Sequence, residues 1–303
     1  MFVRNTVFAL IVVAGFFASL ELALALAGVR PLLLDEDPLV GFADNVPLFV
    51  EATRADGSTV LKTAPNRLRM FNYQEFPRNK AGDSFRIFCM GGSTTHGRPY
   101  YDQVSFCGWL RAYLKAAQPA RNWEVINAGG VSFASYRVAR LMNELKDYDP
   151  DLFIVYSGQN EFLEERSYRS LRKLPDWLIN LNATLSGTRT YTAVKHLIEG
   201  VQPESPENAE KRSLLKGDVD EILNHTVGPQ SYHRDEALKQ QIITHFKLNL
   251  MRMVRIARSV DAGIVFVQPA INVKDMSPFK SEHREDLEDQ DRARWESLYE
   301  RAQ

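Results

Sequence analysis

The spacing of apolar positions changes repeatedly along this chain, and each change predicts an element. From Asn5 to Val29 the sequence is apolar almost without a break, with Glu21 its one charge, which predicts a helix long enough to cross a bilayer. On the insertion scale its aliphatic and Phe residues sum to about −4 to −8 kcal/mol against roughly +3 for a central acid, so Glu21 does not forbid insertion. Two short β-rich runs, Pro47 to Glu51 and Ser58 to Lys62, flank Asp56-Gly57 and predict a hairpin, read as a lid or membrane-proximal appendage. Arg67, Arg69, Phe71, Tyr73 and Phe76 then make a basic aromatic stretch of the kind that packs over a sheet edge.

Beyond residue 82, short apolar runs alternate with helical spacing. Buried strands are predicted at Phe85 to Cys89, Trp123 to Ile126, Asp151 to Tyr156 and Gly263 to Gln268, the last ended by Pro269. Phe106, Trp109, Leu110, Tyr113, Leu114 and Ala117 form one helical stripe over a sheet face, Val138, Leu141, Met142, Leu145 and Tyr148 a second, and Leu238 to Ala257 a third. Three successive strand-to-helix units predict a doubly wound sheet. The fold class is therefore α/β, a three-layer α/β/α sandwich with a mostly parallel sheet behind one N-terminal transmembrane helix. Residues 1–30 are read as anchor or signal peptide, 31–82 as hairpin and linker, 83–283 as the α/β domain with a helical insertion at about 164–235, and 284–303 as the start of a helical segment.

Composition adds exclusions. At 303 residues, 45% hydrophobic and 25% charged, the chain is ordinary globular material, and a net charge of −1 leaves no electrostatic footprint for nucleic acid. Cys89 and Cys107 read as small buried hydrophobes. The N-terminal stretch has a rival reading, a cleaved signal peptide with an A-x-A site among Ala23, Ala25 and Ala27. Because the apolar run continues past Glu21 to bilayer-spanning length, an uncleaved single-pass anchor is the preferred reading, with the domain on the extracytoplasmic, periplasmic side.

Candidate chemistry centres on the turn that ends the first sheet strand, Met90-Gly-Gly-Ser-Thr-Thr-His-Gly97. In open α/β sheets ligands bind beyond the carboxyl ends of the strands, so Ser93 is a candidate nucleophile; the plainer reading is a turn that caps the next helix. A nucleophile elbow would need glycine at Thr95, and a phosphate loop would need Lys-Ser or Lys-Thr where Arg98-Pro99 stand.

Taken together, Gly92-Ser93, Asn127 to Ser132 and Gly158-Gln-Asn-Glu161 resemble the three leading blocks of the SGNH, or GDSL-type, hydrolase family, in a bacterial membrane-anchored form. The resemblance covers about residues 85–270 and implies a flavodoxin-like sheet, Ser93 as nucleophile and Asn160 as side-chain donor to the oxyanion. The family glycine that lends a backbone donor falls on Ser132, with Gly130 the alternative nearby. Glu161 stands for the family's aspartate and is expected to be structural. The family's D-x-x-H block is absent; His283 and His96 are the remaining candidates for the base, with a solvated loop and a capping role as their plainer readings.

The resemblance thus implies a serine-dependent ester hydrolase or acyltransferase, without cofactor or metal, acting on an acylated small molecule or glycan of the envelope. A non-catalytic envelope binding or scaffold protein on the same fold is the alternative. Trp295, Leu298 and Tyr299 have helical spacing and resemble the opening of a tetratricopeptide-type repeat that could hold a protein partner. On that reading the chain is incomplete, and the missing block follows the repeats.

Overall fold

A computed structural model describes residues 2–35, 41–164, 173–201, 233–272, 275, 282–283 and 286–302. Helix α1 (Phe2–Leu26) and the single turn α2 (Leu32–Asp35) lead into an antiparallel sheet of β1 (Phe49–Thr53), β2 (Thr59–Thr63) and β3 (Glu75–Pro77). Then come β4 (Ser84–Gly91), the one-turn α3 (Ser93–His96), α4 (Phe106–Ala117), β5 (Asn122–Gly129), α5 (Ser135–Leu145) and β6 (Leu152–Tyr156). Helices α6 (Asp176–Ser186), α7 (Arg189–Val201) and α8 (Glu236–Ser259), strand β7 (Gly263–Phe266) and helix α9 (Asp289–Ala302) follow.

The second sheet is all parallel, in the order β5-β4-β6-β7, which bears out the predicted fold class. Alternation along the strands explains the layering, since successive side chains point to opposite faces. Phe88 and Met90 of β4, with Ile126, Phe153 and Val155, face α5 and α8 through Val138, Met142, Leu145, Met253 and Ile256. Ile87 and Cys89, with Val125, face α4 through Cys107, Leu110 and Leu114. Both cysteines are buried free thiols, and burial pushes the Cys107 thiol up. Each fully buried aliphatic side chain in these layers contributes about 1.5–3 kcal/mol.

Arg86 is the exception to the apolar run of β4, and it is fully buried. Its guanidinium donates to Glu124 Oε2 at 2.7 Å, the Tyr148 carbonyl at 2.6 Å and the Pro77 carbonyl at 2.8 Å, so the charge is paired and each of its three nitrogens makes a bond. These bonds tie the antiparallel sheet to the parallel one.

The hairpin forms as predicted, with Thr53 opposite Thr59 and Asp56 Oδ1 accepting from Ser58 N at 2.9 Å, but it is no appendage. Leu48, Phe49, Leu61, Phe71 and Phe76 belong to the main core, where Phe76 packs edge-on to Phe88 with centroids 5.8 Å apart. Two further expectations are corrected. Strand β7 is an edge strand, pairing with β6 alone among the described strands, and its Val265 and Phe266 stay largely exposed. On α4, Phe106, Leu110 and Leu114 pack toward the sheet with Cys107, but Trp109 and Tyr113 point to solvent; Gly108 lies against the preceding turn, where a Cβ would be 2.4 Å from the Gln103 carbonyl. Of the expected insertion, α6 and α7 are seen; its segments 165–172 and 202–232, and most of the loop expected after Asn272, lie outside the described residues. One C-terminal helix, α9, is present where a repeat was expected, and one helix does not show a repeat.

Candidate active site

Strand β4 lies between β5 and β6, so its carboxyl end is the point where strand order reverses, the crevice position of a doubly wound sheet. Gly91 pairs with Gly129 on one side and Tyr156 on the other, so the turns after all three strands leave one edge together. The two glycines before Ser93 are required by what approaches them. A Cβ at Gly91 would lie 2.1 Å from the Tyr156 carbonyl oxygen, and one at Gly92 would lie 2.6 Å from Asn160 Nδ2. Any side chain at residue 92 would therefore push Asn160 away from the serine turn.

Ser93 opens α3 and is half-buried. Its carbonyl accepts from Gly97 N at 2.9 Å and Arg98 N at 3.1 Å, and Gly97, at φ 104°, ends the turn in a conformation suited to glycine. The Ser93 hydroxyl has no hydrogen-bond partner among the described residues. Asn160 Nδ2 donates to the Phe133 carbonyl at 3.0 Å, and since an amide nitrogen carries two hydrogens, one remains for the Gly92 side.

The turn after β5 separates the two alternative backbone donors. Gly130 N donates to the Gly91 carbonyl at 3.0 Å and is thereby used, so its assignment as an oxyanion donor is withdrawn. A Cβ at Gly130 would meet Phe133 at 2.7 Å and Phe71 at 2.9 Å, so close packing accounts for that glycine. Ser132 has φ 62°, the left-handed conformation a glycine would adopt freely, and its amide has no partner among the described residues. Holding a serine there costs about 1–2 kcal/mol. Arg137 offsets that cost by donating through Nη2 to the Ser132 carbonyl while its Nε meets Glu164 Oε2 at 3.2 Å and its plane covers the Phe133 ring at 4.2 Å. Arg137 and Glu164 are both buried.

Glu161 has the structural role expected of it. It accepts from Ser135 N at 2.9 Å and Ser135 Oγ at 2.7 Å at the start of α5, where a helix N-terminus favours a carboxylate; burial nonetheless raises its pKa. Glu164 accepts from Ala134 N at 2.9 Å beside it. Asn127 is the third anchor of the edge: its Nδ2 donates to Asp102 Oδ1 at 2.7 Å and to the His96 carbonyl at 3.3 Å, and its Oδ1 accepts from Gly129 N at 3.0 Å. Asn72 Nδ2 also donates to the His96 carbonyl, at 2.7 Å, so the end of the serine turn is clamped from two sides.

No described histidine is bonded to Ser93 Oγ. His96 is neutral at pH 7 because burial, with Arg98 nearby, lowers its pKa to about 4, and its buried Nδ1 has no partner among the described residues. His283 packs against Trp295 with ring centroids 4.7 Å apart. Sequence reasoning passed over His245, which stacks near Tyr136 at 5.6 Å and lines a cavity of about 230 Å³ with Glu161, Glu164 and Gln241. Arg137, Asn127 and Glu164 were missed as positioning residues too. The available signal was the three-residue spacing of Glu161 and Glu164, one face of one helical turn.

No family model matches the sequence, and no curated protein matches it. Among solved structures, the SGNH-hydrolase family esterase AlinE4 aligns at 18% identity over 74% of this chain and 96% of its own, with a TM-score of 0.27. Axe2, an acetyl xylan esterase from Geobacillus stearothermophilus, aligns at 15% identity over 63% of this chain and 78% of its own, TM-score 0.27. A two-domain esterase active on acetylated mannans aligns at 18% identity, TM-score 0.25, over 48% of this chain, which spans half of that esterase's length. Similarity at this level decides neither substrate nor mechanism, and the functional argument rests on the site's own geometry.

Proposed function

We propose that the chain carries the serine and oxyanion half of an ester hydrolase or acyltransferase of SGNH type, acting on an acylated molecule of the envelope. The observation that carries this reading is the approach of Asn160 Nδ2 over Gly92, which places a non-titrating donor beside a serine whose own hydroxyl is unbonded. In the proposed step Ser93 Oγ adds to the acyl carbonyl carbon, and its proton goes to a base. The carbonyl oxygen takes the negative charge and is held by Asn160 Nδ2 and the Ser132 amide; collapse expels the alcohol, which takes the proton, and leaves the acyl group on Ser93. Water or a second alcohol then receives it, regenerating the hydroxyl. Ser93→Ala is expected to abolish turnover of a short acyl ester while leaving the thermal midpoint within a few degrees, since an unbonded turn hydroxyl stabilises little. Unchanged turnover by that variant removes Ser93 from the mechanism.

One observation favours a second reading, a non-catalytic binding protein: the absence of any described histidine bonded to Ser93. Slow, Ser93-independent hydrolysis together with tight retention of an acylated glycan would select it.

For localisation we propose a retained anchor over a cleaved signal peptide. Helix α1 is long and apolar enough to span a membrane over Arg4–Leu26, and none of that span is buried in the protein. Support for retention is that Glu21 accepts from Arg189 N at 3.0 Å and Thr190 N at 2.7 Å, while Arg189 Nε donates to the Val29 carbonyl at 3.1 Å. Cleavage near Ala27 would remove the carboxylate that caps a helix of the domain, which favours retention. The product is expected to resist alkaline carbonate extraction, and a soluble mature form beginning near Ala27 would overturn this reading.

A further inference from the structure

Helices α6 and α7 each have an apolar face that stays exposed among the described residues. Helix α6 buries Ile179 and Ala183 against Phe42, Ala43 and Val46, and Asn180 Oδ1 accepts from Asp44 N at 3.0 Å, so its docking side is accounted for. Its other side carries Trp177, Leu181 and Leu185 at four-residue spacing, and α7 carries Val194, Leu197 and Ile198; all are between 46% and 70% exposed. Such stripes on helices that are already docked need a second apolar partner.

The position of α7 on α1 bears on what that partner is. Contact with α7 falls on the C-terminal part of α1, where Glu21 caps α7, whereas Arg4 to Phe17 of α1 is exposed throughout. The stretch ahead of the contact, Arg4 to Ser19, is roughly 24 Å long at 1.5 Å per residue. A hydrocarbon core is about 30 Å thick, so α1 can cross it only if the segment α7 packs on lies inside the outermost part of the core. Glu21 itself sits roughly 8 Å below the end of α1, a depth that matches the 5–10 Å to which interfacial helices sink.

We propose that α6 and α7 form an interfacial membrane element, with Trp177, Leu181, Leu185, Val194, Leu197 and Ile198 immersed at the headgroup and acyl-chain boundary of the bilayer that α1 crosses. The occupant of both stripes is lipid, and Glu21 sets the depth by fixing α7 to the anchor. The domain is thereby held against the membrane surface instead of swinging on a tether. This rests on the retained-anchor reading, and the test separates the two.

Full-length chain is reconstituted into phosphatidylcholine vesicles with an environment-sensitive fluorophore on one introduced cysteine, Phe8→Cys, Leu181→Cys, Ile198→Cys or Glu51→Cys. The buried Cys89 and Cys107 make the unsubstituted chain the labelling blank. Labels at residues 8, 181 and 198 are expected to be quenched severalfold more by nitroxide-bearing lipid than the label at residue 51. If residue 8 is lipid-quenched while residues 181 and 198 match residue 51, the proposal is overturned and the anchor stands. Shielding of residues 181 and 198 from both lipid and aqueous quenchers also overturns it, by showing that protein covers the stripes. If residue 8 escapes lipid as well, both readings fall.

Discussion

The turns after β4 and β5 leave the same sheet edge but are built in opposite ways. In the first, backbone groups are bonded while the hydroxyl of Ser93 has no partner among the described residues; the two glycines before it admit the Tyr156 carbonyl and the Asn160 amide. In the second, nearly every polar group is committed: Asn127 to Asp102, Gly129 to Asn127, Gly130 to Gly91, and the Ser132 carbonyl to the buried pair Arg137 and Glu164. In the proposed mechanism, the difference makes the β5 turn the frame and the β4 turn the part that presents the reactive atom. Strain and buried charge are placed in the frame, where rigidity fixes the direction of one amide, that of Ser132.

The comparison can be broken most severely at Arg137. Arg137→Ala leaves Glu164 buried without its cation and releases the Ser132 carbonyl, and loss of one partner of a buried pair costs about 3–5 kcal/mol. Chemical denaturation should show that loss; a change below about 1 kcal/mol would mean that the pair does not hold the turn. Next in size is Asn160→Ala. Loss of a transition-state donor should lower kcat about a hundredfold or more with a smaller change in KM, read from steady-state kinetics, and an effect confined to KM would make Asn160 a substrate-binding group.

A smaller effect concerns His96. Its imidazole is lowered from 6.5 to about 4 in the folded chain, chiefly by burial. Above pH 6.5 folded and unfolded forms are both neutral there, so the stability is fully present; between pH 6.5 and about 4 only the unfolded chain takes up the proton, and stability falls as pH falls. His96→Phe should flatten the decline of the thermal midpoint across that window. An unchanged slope would place the acid sensitivity in other groups. Smallest is Ser132→Gly, which relieves the left-handed strain but loosens the unfolded chain, so the net change should stay within about 1 kcal/mol and activity should persist, because the donor is a backbone amide.

Much of the edge was legible because periodicity reports which faces are apolar. The β4, β5 and β6 runs and the α5 and α8 stripes appear where their spacing places them, and the glycines of the serine turn mark close approaches. Buried charge was not legible. Arg86 and Arg137 read as surface residues in a sequence, because the partners that make their burial tolerable, Glu124 and Glu164, are brought to them only by the folded sheet. Trp109 and Tyr113 failed in the other direction: helical spacing gives a broad apolar stripe, but only its part around Cys107, Leu110 and Leu114 meets the sheet. Glu21 counted as a cost of membrane insertion until α7 supplied two amides for it. Spacing cannot show such pairings, since they join residues on different elements, 27 to 169 positions apart.

The central claim is that Ser93 is the acyl-accepting atom and Asn160 its oxyanion donor. Peptide mass spectrometry of the full chain after prolonged incubation with a fluorophosphonate tests it most directly, because phosphonylation would use the nucleophile and donors proposed for the ester. The adduct is expected on the peptide carrying Ser93, lost in Ser93→Ala and slowed many-fold in Asn160→Ala. Adduct spread over other serines, or labelling of Ser93 at an unchanged rate in Asn160→Ala, would contradict it.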